Sequence, residues 1–275
     1  MSPDSAQTLL AAIVVAALIA VAFLAARRAS RRKQAIQQPF PPEWREMLER
    51  QLPLYARMPQ ELRLRLEPLV RSFLANVEFV GCGGLEVTEA MRLIIAVQAC
   101  LLIVERDPHA YSSLYSVLVY PDEFVVEEAE EDEAGVVTEG TRVLSGQTLD
   151  TARIVLSWRD VEERSPEGEA YNVVLHEFAH YLDHSTGGLL SETPSQRKAR
   201  HEWHEVMERE YEALCDAIDR GEPTLIDPYG AEHPAEFFAV ATETFFEQSR
   251  EMEQAHPHLY ALLKRFYGLD PARWG

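Results

Sequence analysis

The chain has 275 residues, of which 45 are Asp or Glu and 26 are Lys or Arg, for a formal net charge of −19. An acidic balance of this size leaves no basic face for a nucleic-acid backbone, so no direct nucleic-acid partner is expected. Three scattered cysteines, Cys82, Cys100 and Cys215, make neither a zinc-binding pair nor a disulfide framework, which fits a reduced compartment.

In chain order, the first feature is an uninterrupted apolar run from Leu9 to Ala26. At about 18 residues it stands at the lower end of what spans a bilayer. No Lys or Arg precedes it, whereas Arg27, Arg28, Arg31, Arg32 and Lys33 follow. A secretory signal carries its positive charge in front of the apolar region, so the segment reads as a transmembrane anchor. The positive-inside rule then puts everything after Arg27 in the cytoplasm, which predicts a single-pass protein of the inner or plasma membrane. Residues 1–33 form the anchor and its basic flank, and 34–275 form the remaining domain, with a helical N-terminal lobe at 40–110.

After a proline-rich start, PFPP, a helix is expected from Glu43 to Arg57 and a second from Pro59 to Ala75, with Pro68 as a bend or break. Gly81 to Gly84 reads as a turn, and Thr88 as the cap of the most apolar helix, EAMRLIIAVQACLLIVE. Short β-rich runs follow at Ser116 to Tyr120, Phe124 to Glu127, Thr141 to Leu144 and Arg153 to Trp158. The acidic run EEAEEDE at 127–133 reads as a solvated loop. The strand RIVLSW is weighed evenly as an ordinary sheet strand or an edge strand that accepts an extended peptide. Four further helices are expected at Glu169 to His184, Gln196 to Arg220, Pro234 to Gln248 and Met252 to Tyr267. Helices at both ends with a small mixed sheet between them give an α+β fold.

The segment VVLHEFAHYLD places His176 and His180 four residues apart, on one face of an apolar helix, with Glu177 beside the first. Two imidazoles one turn apart can hold a zinc ion, and a glutamate beside them can take a proton from water at the metal. A catalytic zinc site needs a third protein ligand. His184 is excluded by reach, since it lies eight residues, or about 12 Å of helix, from His176. The pattern with a glycine and a third histidine downstream is absent, because position 183 is Asp and position 186 is Thr. A carboxylate from DPYGAEHPAEFFAVATETFFEQS is left, a segment that offers Glu236, Glu243 and Glu247, with Glu236 first, Glu243 next and His233 as an outsider. Glu243, seven residues after Glu236 and on the same helical face, also suits a hydrogen bond to a liganding histidine.

These two long motifs together, with GCGGLEVTEAMRL, RVLSGQT and VLSW, resemble the Mlc titration factor A family of zinc peptidases over roughly Phe40 to Gly268. The resemblance implies a zincin-like metallopeptidase core, similar to the protease domain of anthrax lethal factor, here preceded by the N-terminal transmembrane helix. It implies that His176, His180 and Glu236 bind Zn2+, that Glu177 is the catalytic base, and that Tyr229 of DPYGA lies beside the metal as a donor to the transition state. The family commonly has asparagine where this chain has His233. It also implies peptidase activity, with aminopeptidase action in family members, and a transcriptional regulator as partner. The expected function is zinc-dependent hydrolysis of a peptide or protein substrate. The alternative is a membrane-anchored regulatory protein with a structural zinc site.

Overall fold

A computed structural model describes residues 30, 33–34, 37–122, 124–131, 137–144, 146–148, 152–162, 170–185 and 194–275. The N-terminal part of the described chain holds helices α1 (Pro42–Gln51), α2 (Pro53–Arg57), α3 (Gln60–Asn76) and, after a strand, α4 (Glu89–Leu101). The helix expected from Glu43 to Arg57 is therefore two. Leu52 takes an extended conformation with φ −126° and ψ 92°, as expected for the residue before Pro53, whose ring disfavours the helical region at its neighbour. Pro68, by contrast, sits inside an unbroken α3. Thr88 caps α4 as expected, its hydroxyl accepting from the Met91 N–H at 3.2 Å. Every residue of α4 from Leu93 to Leu101 is buried, the pattern of a helix enclosed on all sides by the core.

The sheet is mixed and small. Strands β1 (Glu78–Gly81), β2 (Ser116–Tyr120), β5 (Gly146–Thr148) and β6 (Arg153–Ser157) lie in the order β1-β2-β6-β5. The first three pair in parallel, and β5 closes the edge antiparallel to β6. Arg153–Ser157 is thus an inner strand, and three-residue β5 takes the edge that RIVLSW was weighed for. Val117, Val119, Ile154 and Leu156 are fully buried, as parallel strands covered by helices must be. Strand β1 has no counterpart among the expected elements, and it takes in Gly81, the first residue of the expected turn. Its last residue must be glycine, because a Cβ at Gly81 would meet the Leu85 carbonyl oxygen at 1.9 Å.

The acidic run also differs from expectation. Its residues up to Glu131 belong to β3 (Phe124–Glu131), which pairs antiparallel with β4 (Val137–Leu144) from Phe124↔Leu144 to Glu131↔Val137. Charge density alone suggests a loop, but cross-strand pairing, which is non-local, gives residues up to Glu131 regular structure.

The rest is helical: α5 (Trp158–Glu162), α6 (Val173–Ser185), α7 (Pro194–Asp219), a 3-10 turn (Pro228–Ala231), α8 (Pro234–Glu247), α9 (Ser249–Ala255) and α10 (Pro257–Tyr267). His256, before Pro257, divides the helix expected from Met252 to Tyr267. Helix α6 packs against α8 on one side and against α4 and β6 on others. Phe178 of α6 meets Tyr111 and Phe73 with ring centroids 5.3 and 5.8 Å apart. Burial of such a ring contributes roughly 1.5–3 kcal/mol, so this aromatic cluster fixes the back of α6 in the core.

The α+β architecture with its small mixed sheet matches expectation; the transmembrane helix does not belong to it. No helix among the described residues is long and apolar enough to cross a membrane, and Leu9 to Ala26 lies outside the described residues. The single-pass topology, the membrane as partner and the inner- or plasma-membrane location are accordingly withdrawn. A run of about 18 apolar residues is at the limit of spanning length, so flanking charge had to carry that reading alone.

Candidate metal centre

Helix α6 begins where Asn172 caps it. The Asn172 Oδ1 accepts from the Leu175 N–H at 3.1 Å, and its carbonyl accepts from the His176 N–H at 3.0 Å, so the cap satisfies a donor at the helix start. Val173, Val174, Leu175, Phe178, Ala179 and Leu182 bury the inner faces. His176 and His180, four apart, project together from the remaining face, and their rings meet edge to face at 4.7 Å.

Helix α8 supplies the carboxylates. Pro234 stands at its first position, and the His233 Nδ1 accepts from the Ala235 N–H at 3.1 Å. His233 thus caps the helix, a task that the family's asparagine would also perform, and it is exposed rather than part of the cluster. Glu236 falls in the first turn and Glu243 two turns later, about 10.5 Å along the axis. The spacing sets one carboxylate at each nitrogen of His176. The Glu236 Oε2 lies 3.0 Å from Nε2, and the Glu243 Oε1 lies 2.7 Å from Nδ1.

Just before α8, the Asp227 carboxylate accepts from the Tyr229 N–H at 2.8 Å and closes the 3-10 turn. Gly230 lets that turn press onto its neighbours, since a Cβ there would stand 3.3 Å from Leu214 and 3.5 Å from the Phe237 Cα. The Tyr211 hydroxyl donates to the Ala231 carbonyl at 3.0 Å and ties the turn to α7. Tyr229 is thereby held at the mouth of the site, 42% exposed, with its ring 6.0 Å from that of His176.

The donor chemistry fits zinc. His176 Nε2, His180 Nε2 and Glu236 Oε2 lie 3.0 to 3.1 Å from one another, and among the described residues these three make up the metal-capable group. Atoms about 2.0–2.1 Å from a tetrahedral centre stand about 3.3 Å apart, so the triangle is close to one face of that tetrahedron. With the His176 Nδ1–H donating to the Glu243 carboxylate, the Nε2 lone pair faces a carboxylate oxygen. Acceptors facing acceptors need a cation between them.

The same carboxylates favour any positive charge at this point, a proton as well as a metal. Burial pulls the His176 imidazolium down, but its hydrogen bonds to Glu236 and Glu243, and the Glu177 charge nearby, push it up to about 10. Burial raises the Glu236 carboxyl, and its hydrogen bonds to His176 and His180 reverse that and hold it well below the ordinary carboxylate range. Glu243 differs: burial pushes its carboxyl up against the opposing pull of His176 and the Asn172 N–H. Proton and metal compete for the same ring nitrogens, as at any histidine metal site.

His176, His180 and Glu236 converge on one point. Glu177, next along the helix, is 4% exposed and acts by its charge on His176. Tyr229 faces His176, while Glu243 lies behind it. Asn172 and Gln98, which join the carboxylate behind His176 into a hydrogen-bonded group, were not singled out from sequence, and Glu247, a carboxylate candidate there, belongs to this group and not to the metal point. The one signal was Asn172 itself, a capping residue immediately before an apolar helix.

Comparison with known proteins agrees with this geometry. Residues 26–268 match the family described as glucose-regulated metallo-peptidase M90. The chain is 39% identical over 246 residues to an uncharacterized protein of Synechocystis sp., covering 88% of this chain and 89% of the relative. It is 34% identical over 223 residues to Mlc titration factor A of Pectobacterium atrosepticum, covering 80% and 84%, and 33% identical over 236 residues to that of Yersinia pestis, covering 83% and 85%. The chain is therefore a zinc-dependent peptidase that belongs to the glucose-regulated metallo-peptidase M90 family.

Proposed function

We propose that the chain hydrolyses peptide bonds with Glu177 as the base and Tyr229 as the donor to the developing oxyanion. The observation that carries this reading is the convergence of two imidazole nitrogens and one carboxylate oxygen within 3.1 Å, on the helix that also bears Glu177. His176, His180 and Glu236 would hold zinc, which when bound would supply the Lewis acidity that polarises a carbonyl and lowers the pKa of water. Glu177 accepts a proton from the attacking water and returns it to the leaving amine. Its burial keeps that exchange away from bulk solvent. Tyr229 donates its phenolic hydrogen to the carbonyl oxygen as negative charge grows there. Its exposed position at the mouth of the site suits contact with an incoming peptide.

A structural zinc site would be closed by four protein donors. The group among the described residues has three, which favours catalysis. Some relatives bear the name Mlc titration factor A, and in this reading a transcriptional regulator of that kind joins the peptide substrate as a partner.

The test is Glu177→Gln. The variant keeps its zinc, measured per chain by elemental analysis, and loses about 100- to 10,000-fold in peptidase rate. A zinc-loaded Glu177→Gln protein with wild-type turnover would remove Glu177 from the mechanism. Product masses from a peptide library then separate stepwise loss from the amino terminus, the aminopeptidase mode, from internal cuts.

A further inference from the structure

Behind the metal face, a second set of polar groups runs inward from His176. The Glu243 Oε1 holds the His176 Nδ1 at 2.7 Å, and the Glu243 Oε2 accepts from the backbone N–H of Asn172. The Asn172 side chain is itself fixed on both amide hydrogens, one to the Gln98 Oε1 at 2.7 Å and one to the Glu247 Oε1 at 2.8 Å. Glu247 in turn pairs through Oε2 with the Arg57 guanidinium at 3.0 Å. Arg57 also donates to the carbonyls of Glu247 and Phe246, at 3.2 and 3.3 Å. The sequence separations are large: 67 from His176 to Glu243, 75 from Asn172 to Glu247, and 190 from Arg57 to Glu247.

We propose that Asn172, Glu247 and Arg57 are positioning residues that set the zinc affinity of His176 from helix α2, acting through Glu243. The physical case rests on satisfaction and direction. Asn172 uses its N–H, both Nδ2 hydrogens, its Oδ1 and its carbonyl. The residue has no spare freedom, and its N–H points where Glu243 needs a donor. Glu243 is 3% exposed at its side chain, so its second oxygen has no water to fall back on and must be held by a protein group. A carboxylate held on both oxygens fixes the ring angle and tautomer of the histidine it grips, and thereby the direction of the Nε2 lone pair. Gln98, buried on α4, anchors the same amide from the other side.

A purely structural role competes with this one. Arg57 binds the last carbonyls of α8, so the Arg57–Glu247 pair also staples α2 to that helix end. A staple alone would change thermal stability and leave metal affinity untouched.

The experiment measures the zinc dissociation constant by competition with a chromophoric chelator, and the visible absorption of the cobalt(II)-substituted protein, in the full chain. Glu247→Ala is expected to weaken zinc binding about 2- to 30-fold, the range for mutations along a coupled network, and to shift the cobalt bands. Glu247→Gln keeps an acceptor for Asn172 and is expected to restore most of both. Glu243→Gln marks the upper bound, at about 10- to 100-fold. Should Glu247→Ala fail to fold, Asn172→Ser decides with the same readouts, because serine retains a helix cap while removing both donated bonds. Unchanged zinc affinity and an unchanged cobalt spectrum in either folded variant would overturn the inference, whatever happens to its melting temperature. The inference rests on His176 as a zinc ligand. Failure of the hydrolytic reading looks different: a wild-type protein that binds zinc tightly and cleaves no peptide.

Discussion

Helix α8 carries the same residue type at two places two turns apart and does opposite things with it. At the first turn, Glu236 is partly open, keeps a carboxyl held well below the ordinary range, and faces the metal point. Two turns later, Glu243 is enclosed, has its carboxyl pushed up by burial, and grips the far side of the same imidazole. The lesson is that burial and partners, rather than residue identity, divide a ligand from an orienting group. The first turn of the helix is open to solvent, and its last turn meets the core and α2.

That division can be broken most severely at the open end. Glu236→Ala removes one of the three donors, so zinc is expected to be lost during mild purification and peptidase activity with it, as read by elemental analysis beside a rate assay. Retained stoichiometric zinc would move the third ligand elsewhere. Tyr229→Phe sharpens the picture on the same side. It keeps the ring and removes the hydroxyl, and is expected to lower kcat about 100- to 1,000-fold with zinc content and KM little changed. A loss confined to KM would make Tyr229 a binding group instead.

The smallest effect tests whether partners govern carboxylates away from the metal as well. Glu210, on α7, accepts from the His256 Nδ1 at 2.9 Å. That bond, with help from Arg209, lowers its carboxyl against the opposing effect of burial. A depressed folded pKa stabilises the fold above the unfolded value, near 4.5, and the benefit is lost as pH falls through the folded value. Glu210→Gln is therefore expected to lower Tm at pH 7 by no more than about 2–4 °C, since solvent screens part of the pair. The difference from wild type should shrink in melts run below pH 4. A gap that widens on acidification would reverse the assigned sign.

Local chemistry was legible in the sequence, and long-range chemistry was not. His176 and His180 were readable because a four-residue spacing puts two side chains on one helical face. Glu236 and Glu243 were not separable that way, because seven residues also share a face. Only the docking of α8 on α6 decides which of them meets Nε2 and which meets Nδ1. Strand β1 escaped because it has four residues and little burial, so no alternation could build up. The inner place of β6 depends on β5 folding back beside it, and the sequence of β6 itself carries no trace of that. The network around Asn172 was not legible, since Gln98 and Glu247 lie 74 and 75 residues away along the chain.

One consequence follows from the origin of the ligands on just two helices. His180 and Glu236 are 56 residues apart in sequence and 3.1 Å apart in space, so a bound ion clasps the ends of a long excursion of chain that includes α7. Metal that binds only the folded chain adds its binding free energy to folding, about 1.4 kcal/mol for each tenfold excess over its dissociation constant. Zinc scarcity would then reach this protein twice, once by silencing its chemistry and once by exposing a loosened α6–α8 pair to cellular proteolysis, which ties its abundance as well as its activity to the supply of the metal.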